Sequence, residues 1–312
     1  RLKKLLRKSK SIIMENKKWG IQNIPEQKDK TIIITGATSG LGKEATRVLA
    51  MKNATVIMAV RNTQKAEIVA SEIRKEYANV KIDIRSLDLS SLDSISSFAK
   101  GVLEDYKNLD ILINNAGIMM CPYSKTKNGF ETQMGTNHLG PFALTGLLMP
   151  LLMSTKNARI VSTSSVAHNQ GDIDFTDINW EKRKYNTNKA YSDSKLANLY
   201  FSYELKRRLE NVENPPLVVT AHPGGTKTDL ARHSGIFNVF MNLLFLPVVK
   251  GVLSTLRAAT DVNAKSGDYY GPGGFMQVRG FPELVQSSKM SHNLTNAKHL
   301  WDLSEQLTGV QY

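Results

Sequence analysis

Four times in this chain a tyrosine is followed four residues later by a lysine: Tyr77/Lys81, Tyr123/Lys127, Tyr185/Lys189 and Tyr191/Lys195. On a helix that spacing sets both side chains on one face. A phenol beside an ammonium can give and take back a proton, because nearby positive charge favours phenolate and lowers the tyrosine pKa. Context separates the four. Tyr77 closes a charged helical stretch, and Tyr123 and Tyr185 stand in polar, Asn- and Lys-rich text. Only Tyr191 and Lys195 lie in a sustained helical pattern, residues 189–210, that follows an apolar run ending in serines. That run, RIVSTSS at 159–165, sets Ser164 and Ser165 at a strand end. A hydroxyl there can donate to a substrate oxygen that gains negative charge. For Ser164 an ST-turn or a helix cap is the expected role. His168 reads as structural, since the sequence places no carboxylate to orient it.

The elements that must position these residues are legible as an alternation from Lys30 onward. Short apolar runs at 31–35, 54–60, 80–89, 109–117, 159–165 and 216–225 read as strands, the last few residues of some being exit loops. Helical patterns fill 41–52, 63–77, 91–107 and 129–154, the last interrupted by Gly140-Pro141, and then the Tyr191 helix. Strands separated by helices of about ten to fifteen residues indicate βαβ units, hence an α/β fold with one doubly wound parallel sheet of the Rossmann type and helices on both faces. No repeat or linker breaks the series, so residues 24–312 are expected to form a single domain after an N-terminal extension at 1–23.

In such sheets ligands bind beyond the carboxyl ends of the strands, and those ends carry a consistent vocabulary. The first strand runs into Thr35-Gly36-Ala37-Thr38-Ser39-Gly40-Leu41-Gly42 at a helix start. Glycines there permit a tight turn and close backbone approach to a pyrophosphate, which the helix N-terminus attracts. The spacing is G-x3-G-x-G, not G-x-G-x-x-G. Gly36, Thr38, Ser39, Gly40, Leu41 and Gly42 are therefore candidate nucleotide contacts. The second strand ends at Arg61-Asn62, where an acidic residue would suit a free ribose hydroxyl and an arginine suits a 2′-phosphate. That choice, with Lys65 nearby in sequence, points to NADP(H) over NAD(H). Asp88-Leu89 and Asn114-Asn115-Ala116-Gly117 end the third and fourth strands. Small Ala116 and Gly117 would admit a cofactor, and the asparagines could bond the loops together.

Composition narrows the classes. The 312 residues carry a net charge of +13, but residues 1–18 hold eight Lys/Arg against one Glu, so the remaining 294 carry only +6. With no zinc-ligand spacing and no basic-aromatic interleaving, nucleic-acid binding is not expected. One cysteine, Cys121, excludes an intrachain disulfide framework and fits a reducing, cytoplasmic setting. The basic segment RLKKLLRKSKSII (1–13) reads as a disordered tail or an extension, with a membrane-surface amphipathic helix as the alternative. The apolar text at 234–249, SGIFNVFMNLLFLPVV, is either a core helix or a lid over an apolar substrate. Phe237, Phe240, Met241, Leu244 and Phe245 follow helical spacing and could line a pocket.

Taken together, TGATSGLG, VRN, LDL, NNAG, TNHLGPF, RIVSTSS-VAH, AYSDSKLAN, HPGGTKTDL, AATD and YYGP resemble the short-chain dehydrogenase/reductase superfamily over about 24–310, closest to the branch that contains retinol dehydrogenases. The resemblance implies that Tyr191 is the general acid/base and that Ser165, by its place in S-S-x-A-H, donates to the reacting oxygen. It implies that Lys195 lowers the tyrosine pKa and holds the nicotinamide ribose, and that Asn137 supports a water chain to Lys195. Pro223, Gly224, Thr226 and Thr228 would lie near the nicotinamide and pyrophosphate, although Gly225-Thr226 stands where a bulkier apolar residue is common. The 26 residues from Ser165 to Tyr191 place a small insertion near 170–188. The implied activity is NADP(H)-dependent interconversion of an apolar alcohol and its aldehyde or ketone, such as a retinoid, steroid or long-chain carbonyl. A catalytically idle NADP-binding scaffold is the rival, and it has no need of all four of Ser165, Tyr191, Lys195 and Asn137.

Overall fold

Eight strands form one sheet in the order β3-β2-β1-β4-β5-β6-β7-β8, in a computed structural model that describes residues 18–225 and 246–312. β1 (Thr31–Thr35), β2 (Thr55–Val60), β3 (Lys81–Ser86), β4 (Ile111–Asn114), β5 (Arg159–Thr163), β6 (Leu217–Ala221) and β7 (Tyr269–Pro272) pair in parallel, and β8 (Pro282–Leu284) pairs antiparallel to β7. The chain order reverses between β1 and β4, which creates the crevice where such sheets receive ligands. The last two strands were not legible in the sequence. β8 has only three residues, and β7 ends in Gly271-Pro272, a pair that reads as turn text.

β1 shows why the sheet is central. All five of its residues are buried, with Ile32 and Ile34 on one face and Ile33 on the other. Burying each such side chain is worth about 1.5–3 kcal/mol. One face is covered by α1 (Gly40–Met51), α2 (Thr63–Glu76) and α6 (Val248–Thr260). The other is covered by α3 (Leu92–Asp105), α4 (Gly140–Ser154), α5 (Thr187–Arg208) and α7 (Leu294–Thr308). α1 turns Leu41, Ala45, Val48 and Leu49 inward at helical spacing. Side-chain caps start α2 (Asn62), α3 (Ser91), α5 (Asn186) and α7 (Asn293).

The expected interruption at Gly140-Pro141 is not a break. A π-helical turn, Gly135–Leu139, runs straight into α4, and the Gly140 N–H reaches back to the Gly135 carbonyl. Pro141 follows at the start of α4, where the bonding changes from π- to α-helical and the absence of its N–H coincides with that change. Glycine is needed at 140 for a different reason: a Cβ would lie 2.4 Å from the Leu89 carbonyl oxygen. Residues 171–186 have no regular element apart from turns; Ile173 and Ile178 are buried against α5, and buried Trp180 meets Tyr185 and Arg183.

Candidate active site

The polar face of α5 meets the carboxyl end of β5. Tyr191, Ser194, Lys195 and Asn198 recur at i, i+3, i+4 and i+7, and all four are buried in a helix whose middle is buried almost throughout. Lys195 Nζ and Asn198 Nδ2 both donate to the Thr163 carbonyl, at 3.2 and 2.9 Å. The Ser164 hydroxyl donates to the Lys195 carbonyl at 2.9 Å. Strand end and helix are thus bolted together by three bonds, and Ser164 is one of the bolts rather than a turn or helix cap. Ser165 meets the same helix at Tyr191. It is half-buried, caps the 3₁₀ turn Val166–Gln170 by accepting from the Ala167 N–H at 3.2 Å, and lies close enough to the Tyr191 phenol to ease its ionisation.

Burial pushes the Tyr191 phenol up to about 12, and the Ser165 hydroxyl pulls back against that rise. Burial also lowers the Lys195 ammonium to about 8. The expected net lowering of the tyrosine is therefore not what the structure shows. Nζ lies 5.6 Å from the centroid of the Tyr191 ring and is turned to the Thr163 carbonyl, while both groups are stripped of water. Desolvation outweighs attraction at that separation.

The other three Tyr-x3-Lys pairs are accounted for. The Tyr77 hydroxyl accepts from Arg47 at 2.6 Å, Tyr123 donates to the Asn179 carbonyl at 3.2 Å, and Tyr185 donates to buried Glu131 at 2.9 Å. His168 is structural, as expected. Its Nδ1 is 2.6 Å from the Ser165 carbonyl and its Nε2 accepts from the Ser288 N–H at 3.0 Å. A neutral ring with its proton on Nδ1 satisfies both bonds, and burial holds its pKa below the usual value.

Asn137 lies in the π-helical turn, a form frequent at functional sites. Its side chain donates to the Ile118 carbonyl and to the Ser194 hydroxyl, both at 2.9 Å, and accepts from the Ile118 N–H at 2.8 Å. Ser194 in turn donates to the Tyr191 carbonyl at 2.7 Å. Asn137 and Lys195 flank Gly117, where a Cβ would come within 3.1 Å of Asn137 Oδ1 and 3.4 Å of Lys195 Nζ. Ser194 and Asn198 were missed in the sequence reading. Their signal was present as polar residues on the same helical face as Tyr191.

The glycine turn stands across the crevice. Gly36 adopts φ +70 and Gly40 φ +52, the left-handed region that favours glycine. A Cβ on Gly42 would lie 2.3 Å from the Gly36 carbonyl oxygen. Thr35 ties this turn to the fourth strand: its hydroxyl accepts from the Asn115 and Ala116 N–H groups at 3.0 and 2.9 Å, and Asn115 Nδ2 donates to its carbonyl at 2.8 Å. The loop-bonding role expected of the asparagines falls on Asn115, while the Asn114 side chain donates to the Thr145 hydroxyl of α4 at 3.0 Å. Thr38, Ser39 and Gly40 are half-buried, whereas the Leu41 side chain belongs to the core.

Several features fit a dinucleotide. Ser39 begins α1 in an extended conformation and makes no side-chain cap bond, so the first-turn N–H groups have no side-chain acceptor and can face an anion. At the end of β2, Arg61 is exposed and forms no ion pair among the described residues, although its charge helps hold Asp88. Burial pushes the Asp88 carboxyl up, but the Ser90 hydroxyl and N–H, with Arg61 and Lys127, hold it below its ordinary value. Asn62 is occupied as the cap of α2, accepting from the Lys65 N–H at 2.7 Å. Leu89 is a core residue whose carbonyl packs on Gly140. At the end of β6, Gly224 has φ +69, and a Cβ there would meet the Val278 carbonyl oxygen at 2.5 Å. Pro223 and Gly224 therefore lie against the β7–β8 hairpin, while Thr226, Thr228 and the apolar stretch 234–245 lie outside the described residues, as does the basic segment 1–13.

Fold and site together are those of an oxidoreductase built on a nucleotide-binding sheet. The family model for the short chain dehydrogenase matches residues 30–236, and the chain belongs to that family. Within it, the protein falls in the retinol-dehydrogenase-like branch. It is 41% identical to human retinol dehydrogenase 13 over 293 residues, covering 90% of this chain and 85% of that protein. It is 43% identical to human retinol dehydrogenase 12 over 289 residues, covering 91% and 87%. Among solved structures, an uncharacterised protein from Mycobacterium paratuberculosis superposes with a TM-score of 0.80 at 40% identity, covering 95% of this chain and 99% of that one. A short chain dehydrogenase from Escherichia coli CFT073 complexed with NADPH superposes with a TM-score of 0.63 at 28% identity, covering 78% and 96%.

Proposed function

We propose that the protein interconverts an apolar alcohol and its aldehyde or ketone with NADP(H), using Tyr191 as general acid/base. The observation that carries this reading is the buried Tyr191 phenol, set beside the Ser165 hydroxyl and the Lys195 ammonium at the carboxyl end of β5. Bound NADP(H) supplies or accepts the hydride. In the reducing direction Tyr191 gives its proton to the substrate oxygen while Ser165 donates a hydrogen bond to the same oxygen. Lys195, protonated below about pH 8, stabilises the phenolate that results. Oxidation reverses these steps. Asn137 keeps the loop at Ile118 and the backbone at Tyr191 in register through Ser194.

The residues suited to the cofactor are the α1 N-terminus with Gly36, Thr38, Ser39 and Gly40 for the pyrophosphate, Arg61 for a 2′-phosphate, and Ala116 and Gly117 beside the nicotinamide end. NADPH in the E. coli relative and the arginine at the end of β2 both favour NADP(H) over NAD(H). The substrate class is taken from the retinol dehydrogenases and from the apolar text at 234–249. The test is NADPH consumption over a panel of retinoid, steroid and long-chain carbonyls by wild type and Tyr191→Phe. The variant is expected to bind NADPH normally and to lose about 10²–10⁴-fold in turnover. Wild-type turnover in Tyr191→Phe would refute the assignment, and an inert wild type across the panel would refute the substrate class.

A further inference from the structure

The segment before α5, residues 171–186, takes no part in the proposed reaction, and neither does its Tyr185. Both meet the loop that leaves β4. Gly117 begins that loop beside Asn137 and Lys195. Cys121 ends it, its carbonyl accepting from the hydroxyl of Thr187, the first residue of α5, at 2.9 Å. Ile118, Met119 and Met120 therefore run along the crevice from the Lys195 ammonium to the turn of α5 that precedes Tyr191. All three are half-buried, and among the described residues none packs into a hydrophobic core cluster.

The loop is strained at Met120. Its φ of +52 lies in a region that L side chains keep only where their surroundings impose it. Gln133 supplies that constraint. Its Oε1 accepts from the Met120 N–H at 2.8 Å, and its Nε2 donates to the Tyr185 hydroxyl at 2.8 Å and to the Thr187 carbonyl at 3.0 Å. The side chain is fully buried, and its amide has one orientation, since the reverse would set N–H against N–H and carbonyl against carbonyl. Tyr185 donates in turn to buried Glu131 at 2.9 Å, whose carboxylate also accepts from the Gln133 and Met134 N–H groups at 2.8 and 2.7 Å. Asn179 closes the ring: its side chain accepts from the Glu131 N–H at 2.9 Å and its carbonyl from the Tyr123 hydroxyl at 3.2 Å. One buried side chain thus sets the crevice loop against the start of the helix that carries Tyr191.

Apolar side chains kept out of the core, with the backbone of one held under strain beside a reacting group, mark a place where a ligand is gripped. We propose that Met120 contacts the substrate and determines which carbonyls the crevice accepts, and that Gln133, with Tyr185, is the positioning residue that holds it there. A flexible, polarisable thioether suits that task, because it moulds itself to an apolar surface. The inference rests on the reaction proposed above and assigns residues that the proton and hydride transfers do not themselves need.

Calorimetric titration of the full chain loaded with NADP+ tests it, because that complex has no hydride to transfer and reads binding alone. The titrants are 2-octanone and benzophenone, and wild type is expected to bind both. Met120→Ala should bind 2-octanone about tenfold more weakly, since apolar contact is lost. Benzophenone, whose second ring fills the space vacated, should keep its Kd. Gln133→Met and Tyr185→Phe should each weaken 2-octanone by about fivefold, and adding Met120→Ala to either should cost no more than Met120→Ala alone. Kd for NADP+ should stay put in every variant. Tyr185→Phe removes one hydroxyl and keeps the ring contacts, so it completes the cycle if Gln133→Met fails to fold. An unchanged ratio of the two affinities in Met120→Ala would overturn the specificity role, and additive losses in the double variants would overturn the positioning role. If wild type reduces carbonyls with NADPH while that ratio is unchanged, the reaction stands and this inference falls. If it binds 2-octanone with the expected ratio shift in Met120→Ala but reduces nothing, the reaction falls and the contact stands.

Discussion

Replacing Lys195 by Met should make the apoprotein more stable while removing its activity. Lys195 is fully buried and burial lowers its ammonium from 10.5 to about 8. At about 1.4 kcal/mol for each tenfold change in proton affinity, carrying that charge in the fold costs roughly 3 kcal/mol at neutral pH. Met keeps most of the side-chain volume and gives up one hydrogen bond, worth about 1 kcal/mol. The abandoned acceptor is not orphaned, because the Thr163 carbonyl keeps its bond from Asn198 at 2.9 Å. The expected net gain is about 2 kcal/mol at pH 7, or about 4 °C in thermal midpoint for a chain of this size. The sign with pH follows from linkage. Between about 8 and 10.5 the unfolded chain binds the Lys195 proton and the folded chain does not, so wild-type stability rises through that window. The variant's advantage should therefore be full below pH 8 and turn into a deficit of about 1 kcal/mol, the lost hydrogen bond, above 10.5. Urea unfolding of both proteins without cofactor from pH 7 to 10.5 measures it. A variant no more stable than wild type at pH 7, or an advantage that stays constant across the window, would refute the desolvation argument.

Arg61→Ala should raise KM for NADPH by about 10–100-fold and leave KM for NADH nearly unchanged, since a charged hydrogen bond of this kind is worth about 1.5–3 kcal/mol; steady-state kinetics with both cofactors decide it. Gly117→Ala should lower kcat by about tenfold with little change in thermal midpoint. Its Cβ would press on Asn137 Oδ1 and Lys195 Nζ at 3.1 and 3.4 Å, and displacements of this order in a reacting array are costly; an undiminished kcat would show that the two groups tolerate displacement. Acid should destabilise the fold below about pH 6.5. Burial keeps His138 neutral down to about 3 and His222 down to about 4, so the unfolded chain takes up protons that the folded one refuses. His138→Gln should flatten the fall in urea midpoint between pH 6.5 and 4.5, and an unaltered slope would contradict it.

Much of the fold was written in local pattern. Runs such as TIIIT and TVIMAV are buried on both faces, which is what a central parallel strand requires, and their text is continuous for that reason. The glycine turn was legible because a left-handed φ at Gly36 and contact with the Gly42 Cα exclude other residues. β7 and β8 were not legible, since a two-strand hairpin of four and three residues carries too little periodicity. Gly140-Pro141 misled for a related reason. The text signals a breaker, while the use of Gly140 lies in contact with Leu89, 51 positions away.

The candidate site divides in the same way. Residue types at fixed spacing determined that one helical face carries a phenol and an amine four positions apart, and that hydroxyls, glycines and an arginine end the strands. Choosing Tyr191 among four equivalent pairs was an inference from context, and the partners that occupy Tyr77, Tyr123 and Tyr185 confirm that those three are engaged elsewhere. Only the tertiary structure decided that Ser164 is a bolt and Ser165 faces the phenol, although the two are adjacent just past the end of β5. Both meet α5, and which hydroxyl reaches the Lys195 carbonyl and which the Tyr191 phenol is fixed by how that helix packs on the strand end. The same holds for proton affinity. Sequence supplies the charges, but the balance between attraction and dehydration depends on the distance and burial that folding sets, and here burial wins at both Tyr191 and Lys195.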